Sequence, residues 1–327
     1  MESSNRAPGR LAGYLFALGA GSLWGTTGPL STALYARGAE LTGVGFWRIA
    51  IATAGFLVYG LVRPGLFRVD RKALLLVGLA GGAFVALFEV SYQYAIAGVG
   101  VAGAAALLYT APVMVAVLAA PFLGERLTVA RLGLAIGVMI GAGLTVGGGT
   151  GALDVSLGGV SAAGVGVIGG LLAAAAYAAT TLIARFAVPR YGSVKVLFLE
   201  IGGGTLILSV ALPLAGRAPT APATAADWIF ALLLALGAIL AANFLFFGGV
   251  RRIEAAPTAV AATIEPVVAA LLALMLFGQR LTAAGWVGLL LVVGSVASSY
   301  AWEAAAGRRR ASAEPELART SSRGPAS

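Results

Sequence analysis

One 17-residue stretch occurs twice in this chain, and any fold must place the two copies equivalently. Residues 112–128 read PVMVAVLAAPFLGERLT, and residues 266–282 read PVVAALLALMLFGQRLT. Nine of the seventeen positions are identical without a gap, at an offset of 154 (266 − 112). Matches among Ala and Leu carry little weight in so apolar a chain. The inference rests on Pro112/Pro266, Gly124/Gly278, Arg126/Arg280, Leu127/Leu281 and Thr128/Thr282. A proline inside an apolar run, followed at a fixed distance by Gly-x-Arg-Leu-Thr, marks an internal duplication.

Both copies are embedded in apolar sequence. The chain is 59% hydrophobic and 11% charged over 327 residues. Apolar runs of about 20 residues, the length that crosses a bilayer as helix, recur throughout. Ten spans are expected, at 11–34, 44–62, 73–96, 100–122, 129–147, 160–184, 194–214, 227–249, 257–277 and 283–303. The fold class is thus an all-α polytopic membrane protein with ten transmembrane helices. The first run reads as a span and not as a removable signal peptide. The expected organisation is a short segment 1–10, a first five-helix repeat 11–147, a Gly-rich linker 148–159, a second repeat 160–303 and a disordered tail 304–327. The absence of Cys and His removes disulfides, thiol nucleophiles and the commonest metal ligand. No metal site and no cofactor is expected.

The net charge of +9 would suggest nucleic acid in a soluble protein. Its distribution argues otherwise. With the N-terminus cytoplasmic, 18 of the 22 basic residues fall on inner segments, leaving Arg37, Arg48, Arg217 and Arg280 on or near the outer side. That asymmetry sets orientation in a membrane, so both termini are expected in the cytoplasm of a multi-pass inner or plasma-membrane protein. The expected partners are the bilayer and a small molecule, with no nucleic acid, in a monomer or homodimer. Five spans per repeat make the second half enter from the opposite side, giving inverted repeats with a midplane site between them.

Against this frame a few polar residues stand out. Glu265 lies near the middle of the ninth span, where an acid costs roughly 2.5–3.5 kcal/mol. It precedes Pro266, which frees the carbonyl of Ala262 and kinks the helix. Pro112 frees that of Leu108, but the matching position there is Ala111, so the acid is asymmetric. In the third span Glu89, Tyr92 and Gln93 share one helix face, matched in the eighth by Asn243 with Phe246 and Phe247. Trp24 and Thr27 share a face of the first span, with Ser31 a turn further on. Tyr177 and Thr180 match them in the sixth span at an offset of 153 (177 − 24). Tyr109 lies one turn before Pro112. These positions are substrate-binding candidates, for which ordinary helix packing is the competing reading. Glu89 and Glu265 are also the candidates for a coupled proton, since ionisation is expensive in hydrocarbon. Arg48 and Glu200 read as repeat equivalents at opposite depths that do not pair with each other. Snorkelling or a local salt bridge is expected of both, unless Arg48 attracts anionic groups at an outer gate. Gly124–Thr128 and Gly278–Thr282 read as tight helix connections, with Gly at the left-handed cap and Thr capping the next helix.

The five-plus-five organisation, the prolines of the fourth and ninth spans, GERLT at 124–128, GQRLT at 278–282, Trp24-Gly25 and Arg48 together resemble the EamA family of the drug/metabolite transporter superfamily. The resemblance covers residues 11–303 and implies an exporter of amino acids and related metabolites. Gln279 departs from the Gly-Glu of the family pattern. The expected function is therefore secondary export of small polar metabolites such as amino acids, by alternating access. The alternatives are an exporter of cationic or aromatic drugs, or a membrane-embedded enzyme acting on a lipid or peptide. The last lacks a G-x-S-x-G elbow and any metal-ligand cluster, and no enzymatic activity is expected.

Overall fold

The described residues of the computed structural model are 6–115, 129–148, 159–253, 255–298 and 301. The GERLT copy at 124–128, most of the linker and the tail lie outside them. Every described element is a helix. In chain order they are α1 (Arg6–Gly25), α2 (Thr27–Ala36), α3 (Leu41–Val62), α4 (Arg71–Leu108), α5 (Val129–Gly147), α6 (Ala162–Tyr191), α7 (Ser193–Leu214), α8 (Ala225–Ile253), α9 (Ala255–Ala262), α10 (Glu265–Phe277) and α11 (Ala283–Ser298). Six stretches, α3, α4, α6, α7, α8 and Pro257–Phe277, are long and apolar enough to cross a bilayer. Large apolar side chains dominate their outward faces: Leu214 is 82% exposed and Met275 78%. In water such a surface would drive aggregation, so lipid is its solvent. This is a multi-pass membrane protein.

Helix α4 has 38 residues, or about 57 Å at 1.5 Å per residue, nearly two bilayer thicknesses. Gly100 divides it. Its φ of 74° lies in the left-handed region that a side chain disfavours, so the helix breaks there. The break orphans the amide of Val101, which donates to Gln279 Oε1 at 3.1 Å. The residue that departs from the family pattern therefore caps a helix of the opposite repeat. The first span is also interrupted, at Thr26, where the sequence reads as one helix. The N-terminal parts of α4 and α8 widen into π-helical turns at Leu74–Gly81 and Leu233–Ala241.

The duplication appears in the hydrogen bonds. The chain turns at Tyr109–Thr110 and again, 154 residues on, at Thr263–Ile264. In the first turn Tyr109 N donates to Ala105 O, Thr110 N to Leu107 O, and Val113 N and Met114 N to Thr110 O. In the second Thr263 N donates to Ala259 O, Ile264 N to Ala261 O, and Val267 N and Val268 N to Ile264 O. All four bonds are the same at the same offset.

Equivalent helices also pack on each other. Helices α3 and α7 each have 22 residues, at an offset of 152 (193 − 41). Thr53 and Thr205, equivalent at that offset, share a hydrogen bond of 2.9 Å. Phe56 meets Phe198 with ring centroids 6.0 Å apart, so the two helices run antiparallel. Helices α5 and α11 are antiparallel too, and their backbones nearly touch. A methyl group on Gly141 would stand 2.6 Å from the Gly288 carbonyl oxygen, and one on Gly288 2.5 Å from that of Gly141. Small residues permit this approach in a membrane, where packing rather than water exclusion holds helices together. The second helix connection has the expected form. Gly278 is left-handed (φ 64°) and Thr282 accepts from Gly285 N at 3.2 Å.

Candidate functional site

Pro266 has no N–H, so α9 stops at Ala262 and α10 restarts at Glu265. The acid thus occupies the first turn of a helix, where the dipole favours negative charge. Helix α1 presses on this break. A methyl group on Gly21 would stand 2.5 Å from the freed Ala262 carbonyl oxygen, and one on Gly25 2.7 Å from that of Glu265. The glycine of Trp24-Gly25 is therefore there for close approach. Tyr109, in the equivalent turn of the first repeat, donates to Glu265 Oε2 at 3.2 Å. The two turns face each other, and the one acid is held between them.

A second acid, more deeply buried, has a stronger partner. Glu89 is 3% exposed and Arg48 7%. Arg48 Nη1 donates to both carboxylate oxygens, at 3.2 and 3.1 Å. Gly45 makes this possible: a methyl group there would stand 2.9 Å from the Glu89 carbonyl oxygen, so α3 lies against α4 one turn before Arg48. Of the two expectations for Arg48, the salt bridge is found and snorkelling is not. Arg48 starts a full two turns inside α3 and neutralises an acid 41 residues away. A buried carboxylate is stabilised by a paired cation, and Arg48 supplies it for Glu89. Arg48 also acts electrostatically on Glu265, as Glu265 and Glu89 both do on Tyr92. Arg48, Glu89, Tyr92, Tyr109 and Glu265 form one cluster, with one basic and two acidic members.

The other sequence candidates make the following contacts. Gln93 is fully buried and accepts from the hydroxyl of Tyr35, a residue the sequence did not single out. Phe88 stacks on Tyr92 (5.4 Å, 14°) and reaches Tyr177 (6.1 Å), which is 48% exposed. Thr180 Oγ1 donates to the Tyr177 carbonyl at 2.9 Å and Asn243 Nδ2 to the Ile239 carbonyl at 2.8 Å, each within its own helix. Trp24 packs on Phe246 at 5.3 Å, and Thr27 is buried.

A cavity of about 160 Å³ lies toward the α2–α3 connection, with Arg48 at its floor. Its rim joins the two repeats. Arg37 pairs with Asp227 and donates from Nη2 to Thr224 Oγ1 at 3.1 Å, and Trp47 Nε1 donates to the Thr220 carbonyl at 2.8 Å. A matching latch lies between the α3–α4 and α6–α7 connections. Arg190 Nη2 meets Asp70 Oδ2 at 3.3 Å, and the Tyr191 hydroxyl lies 3.0 and 3.1 Å from its two oxygens. Arg37 and Arg190 are equivalent at an offset of 153 (190 − 37), and Asp70 and Thr224 at 154 (224 − 70). Asp70 and Thr224 are both N-caps, accepting from the amides of Ala73 and Asp227. One fastening is thus built twice.

Comparison with known proteins agrees with this architecture. The sequence matches the EamA-like transporter family twice, over residues 11–147 and 164–301. The "Pseudopaline exporter CntI" of two Pseudomonas aeruginosa strains is 32% identical over 194 residues, 59% of this chain and 62% of that protein. The chain thus matches under two thirds of that relative's length. An "Uncharacterized transporter" of Archaeoglobus fulgidus is 28% identical over 271 residues, 82% of this chain and 90% of that one. A crystal structure of an 18% identical protein superposes with a TM-score of 0.61, covering 89% of this chain and 96% of the other, which shows a shared fold. On the two family matches, this chain is a member of the EamA-like transporter family.

Proposed function

We propose that the chain is a secondary transporter that exports small polar metabolites of amino-acid type, by alternating access between inverted repeats at 11–147 and 160–303. The observation that carries this reading is the charged cluster where the two turns meet, with Glu265 held by Tyr109 and Glu89 held by Arg48. Ionisable groups at membrane depth are expensive and mark substrate or proton pathways. Two acids against one base leave a net negative site, which favours an amine. The antiparallel packing of α3 on α7 and of α5 on α11 supports inverted repeats, and ten spans follow if the first repeat matches the second. The charge asymmetry of the connections supports cytoplasmic termini and an outward-facing Arg37 latch. Export is the proposed direction because a relative is named an exporter.

Counterflow in proteoliposomes tests the reading, with a panel of amino acids, polyamines and nucleobases and with or without a pH gradient. Saturable exchange of an unaltered amino acid is the expected result. Chemical alteration of the solute, or exchange confined to polyamines or nucleobases, overturns it.

A further inference from the structure

Glu89 is held by Arg48 and Glu265 by the Tyr109 hydroxyl. Glu200, in α7, has neither a cation nor a hydrogen-bond donor among the described residues, and its buried Oε1 is unpartnered. Buried polar atoms without a partner are rare and call for an explanation. The acid is 6% exposed. It lies against a surface of glycines. A methyl group on Gly81 would stand 2.9 Å from Glu200 Cγ and 3.3 Å from Oε1. One turn further along α7, a methyl group on Gly203 would overlap the Gly78 carbonyl oxygen, and one on Gly82 would stand 2.6 Å from the Gly203 carbonyl carbon. Helix α7 thus rests on the backbone of α4 where its π-helical turns end, with no room for water at that contact.

Nothing charged compensates the acid. Helix α7 packs on α3, α4 and α6. None of their charged side chains acts on the Glu200 carboxyl, neither Arg48 of α3, nor Arg71, Lys72 or Glu89 of α4, nor Arg185 or Arg190 of α6. Nor does Tyr59 of α3, Tyr92 or Tyr94 of α4, or Tyr177 or Tyr191 of α6. An ionised carboxyl there would lose its hydration and gain no partner in return. With a proton it is neutral and can lie against the glycines. Glu200 is about 11 Å along α7 from Ser193. Both helices that enclose it begin at the Asp70 latch, where Arg190 and Tyr191 meet Asp70 and Lys195 Nζ donates to the Arg68 carbonyl at 2.7 Å. Separation at that latch would open a path for water to the carboxyl.

We propose that Glu200 is a proton-binding site, which holds a proton while α7 is packed on Gly78–Gly82 and gives it to water when the two helices part at the Asp70 latch. The O–H bond breaks with its electron pair left on the carboxylate, and the proton leaves as hydronium; rebinding reverses the step. Use of this proton as the coupling ion rests on the transport reading, whereas the site itself does not.

Two measurements keep these apart. The infrared spectrum of the purified full chain at neutral pH should contain a protonated-carboxyl band that Glu200→Gln removes and Glu200→Asp shifts. In proteoliposomes, uptake of each amino acid of the panel is measured with and without a pH gradient, and the gradient should change the rate several-fold. Glu200→Gln keeps the shape and loses the ionisable group, so it should bring the ratio of the two rates to one. Glu200→Asp is shorter but ionisable and should keep the response, the reverse of what a packing role requires. If Glu200→Gln removes no protonated-carboxyl band, the proton site is overturned. Uptake that ignores the gradient in the unaltered chain, or a response unchanged in Glu200→Gln, overturns the coupling. The band present with no uptake of any amino acid leaves the proton site standing and removes the transport reading alone.

Discussion

The two ends of the molecule carry the same fastening on different foundations. At the Arg37 end, the side chains of Arg37 and Asp227 are 41% and 9% exposed, and both line a cavity that Arg48, paired with Glu89, also lines. At the Asp70 end, the side chains of Arg190 and Asp70 are 61% and 44% exposed. The eighth residue of α3 is Arg48; the eighth of α7 is Glu200. Glu200 is 6% exposed, packs on Gly81, and its Oε1 has no hydrogen-bond partner among the described residues. Duplication kept the two turns, the 22-residue pair α3 and α7 and the N-caps, although the first span breaks at Thr26 where α6 is continuous. The buried charges diverged, and they give the ends different energetics. A buried pair is costly to break from one side, whereas an exposed pair contributes little.

The largest expected effect separates Arg48 from Glu200. Arg48→Gln leaves Glu89 buried without its partner and should cost about 3–5 kcal/mol. Thermal unfolding in detergent measures this, and Arg48→Gln/Glu89→Gln should recover most of the loss. Glu200→Gln removes an acid that has no cation to lose, so it should leave stability unchanged or raised. Equal losses at both positions would break the comparison.

The next effect concerns the latches themselves. Arg37→Ala should raise labelling of a cysteine at Val44, a buried cavity-lining position, by a membrane-impermeant maleimide several-fold. The chain has no native Cys to interfere. Arg190→Ala should leave that labelling unchanged. Removing the hydroxyl in Tyr109→Phe comes third, at about 0.5–1.5 kcal/mol of stability.

The smallest expected effect is of pH at the Asp70 latch. The amide of Ala73 above all, with Tyr191, Arg190 and Lys72 adding to it, holds Asp70 below its ordinary 3.8 against the opposing effect of desolvation. A depressed carboxyl contributes its stabilisation above the unfolded value and loses it as pH falls through the folded one. The latch should therefore be indifferent between about pH 5 and 8 and release only below 3.8. Any pH dependence of transport near neutrality would come from elsewhere.

Much of the frame was readable from residues alone, because it follows from apolar length and proline chemistry. The runs at 44–62 and 194–214 lie within Leu41–Val62 and Ser193–Leu214. The proline before which α9 had to end is where α9 ends. What escaped reading depends on contacts between distant segments. Nothing local in Leu74–Gly81 announces π-helical turns. Thr26 gives no warning of the break after Gly25. The depth of Arg48 escaped reading because α3 starts three residues before the expected span, and its partner Glu89 because it lies in another span. Asn243 and Thr180 matched the expected stripes, yet they satisfy their own helices, a choice that periodicity does not reveal.

The bond between Thr53 and Thr205 has a consequence of its own. A residue that meets its own counterpart is what a two-fold axis between identical chains produces. The contact has the form of a homodimer interface carried inside one polypeptide. In such a dimer every substitution would appear twice, so an arginine at the eighth position of this helix would bring a second arginine at the opposite face. Fusion of the halves lifts that bond between copies. One half can then hold Arg48 against Glu89 while the other holds Glu200, and a symmetric ancestor's two doors can become a front and a back.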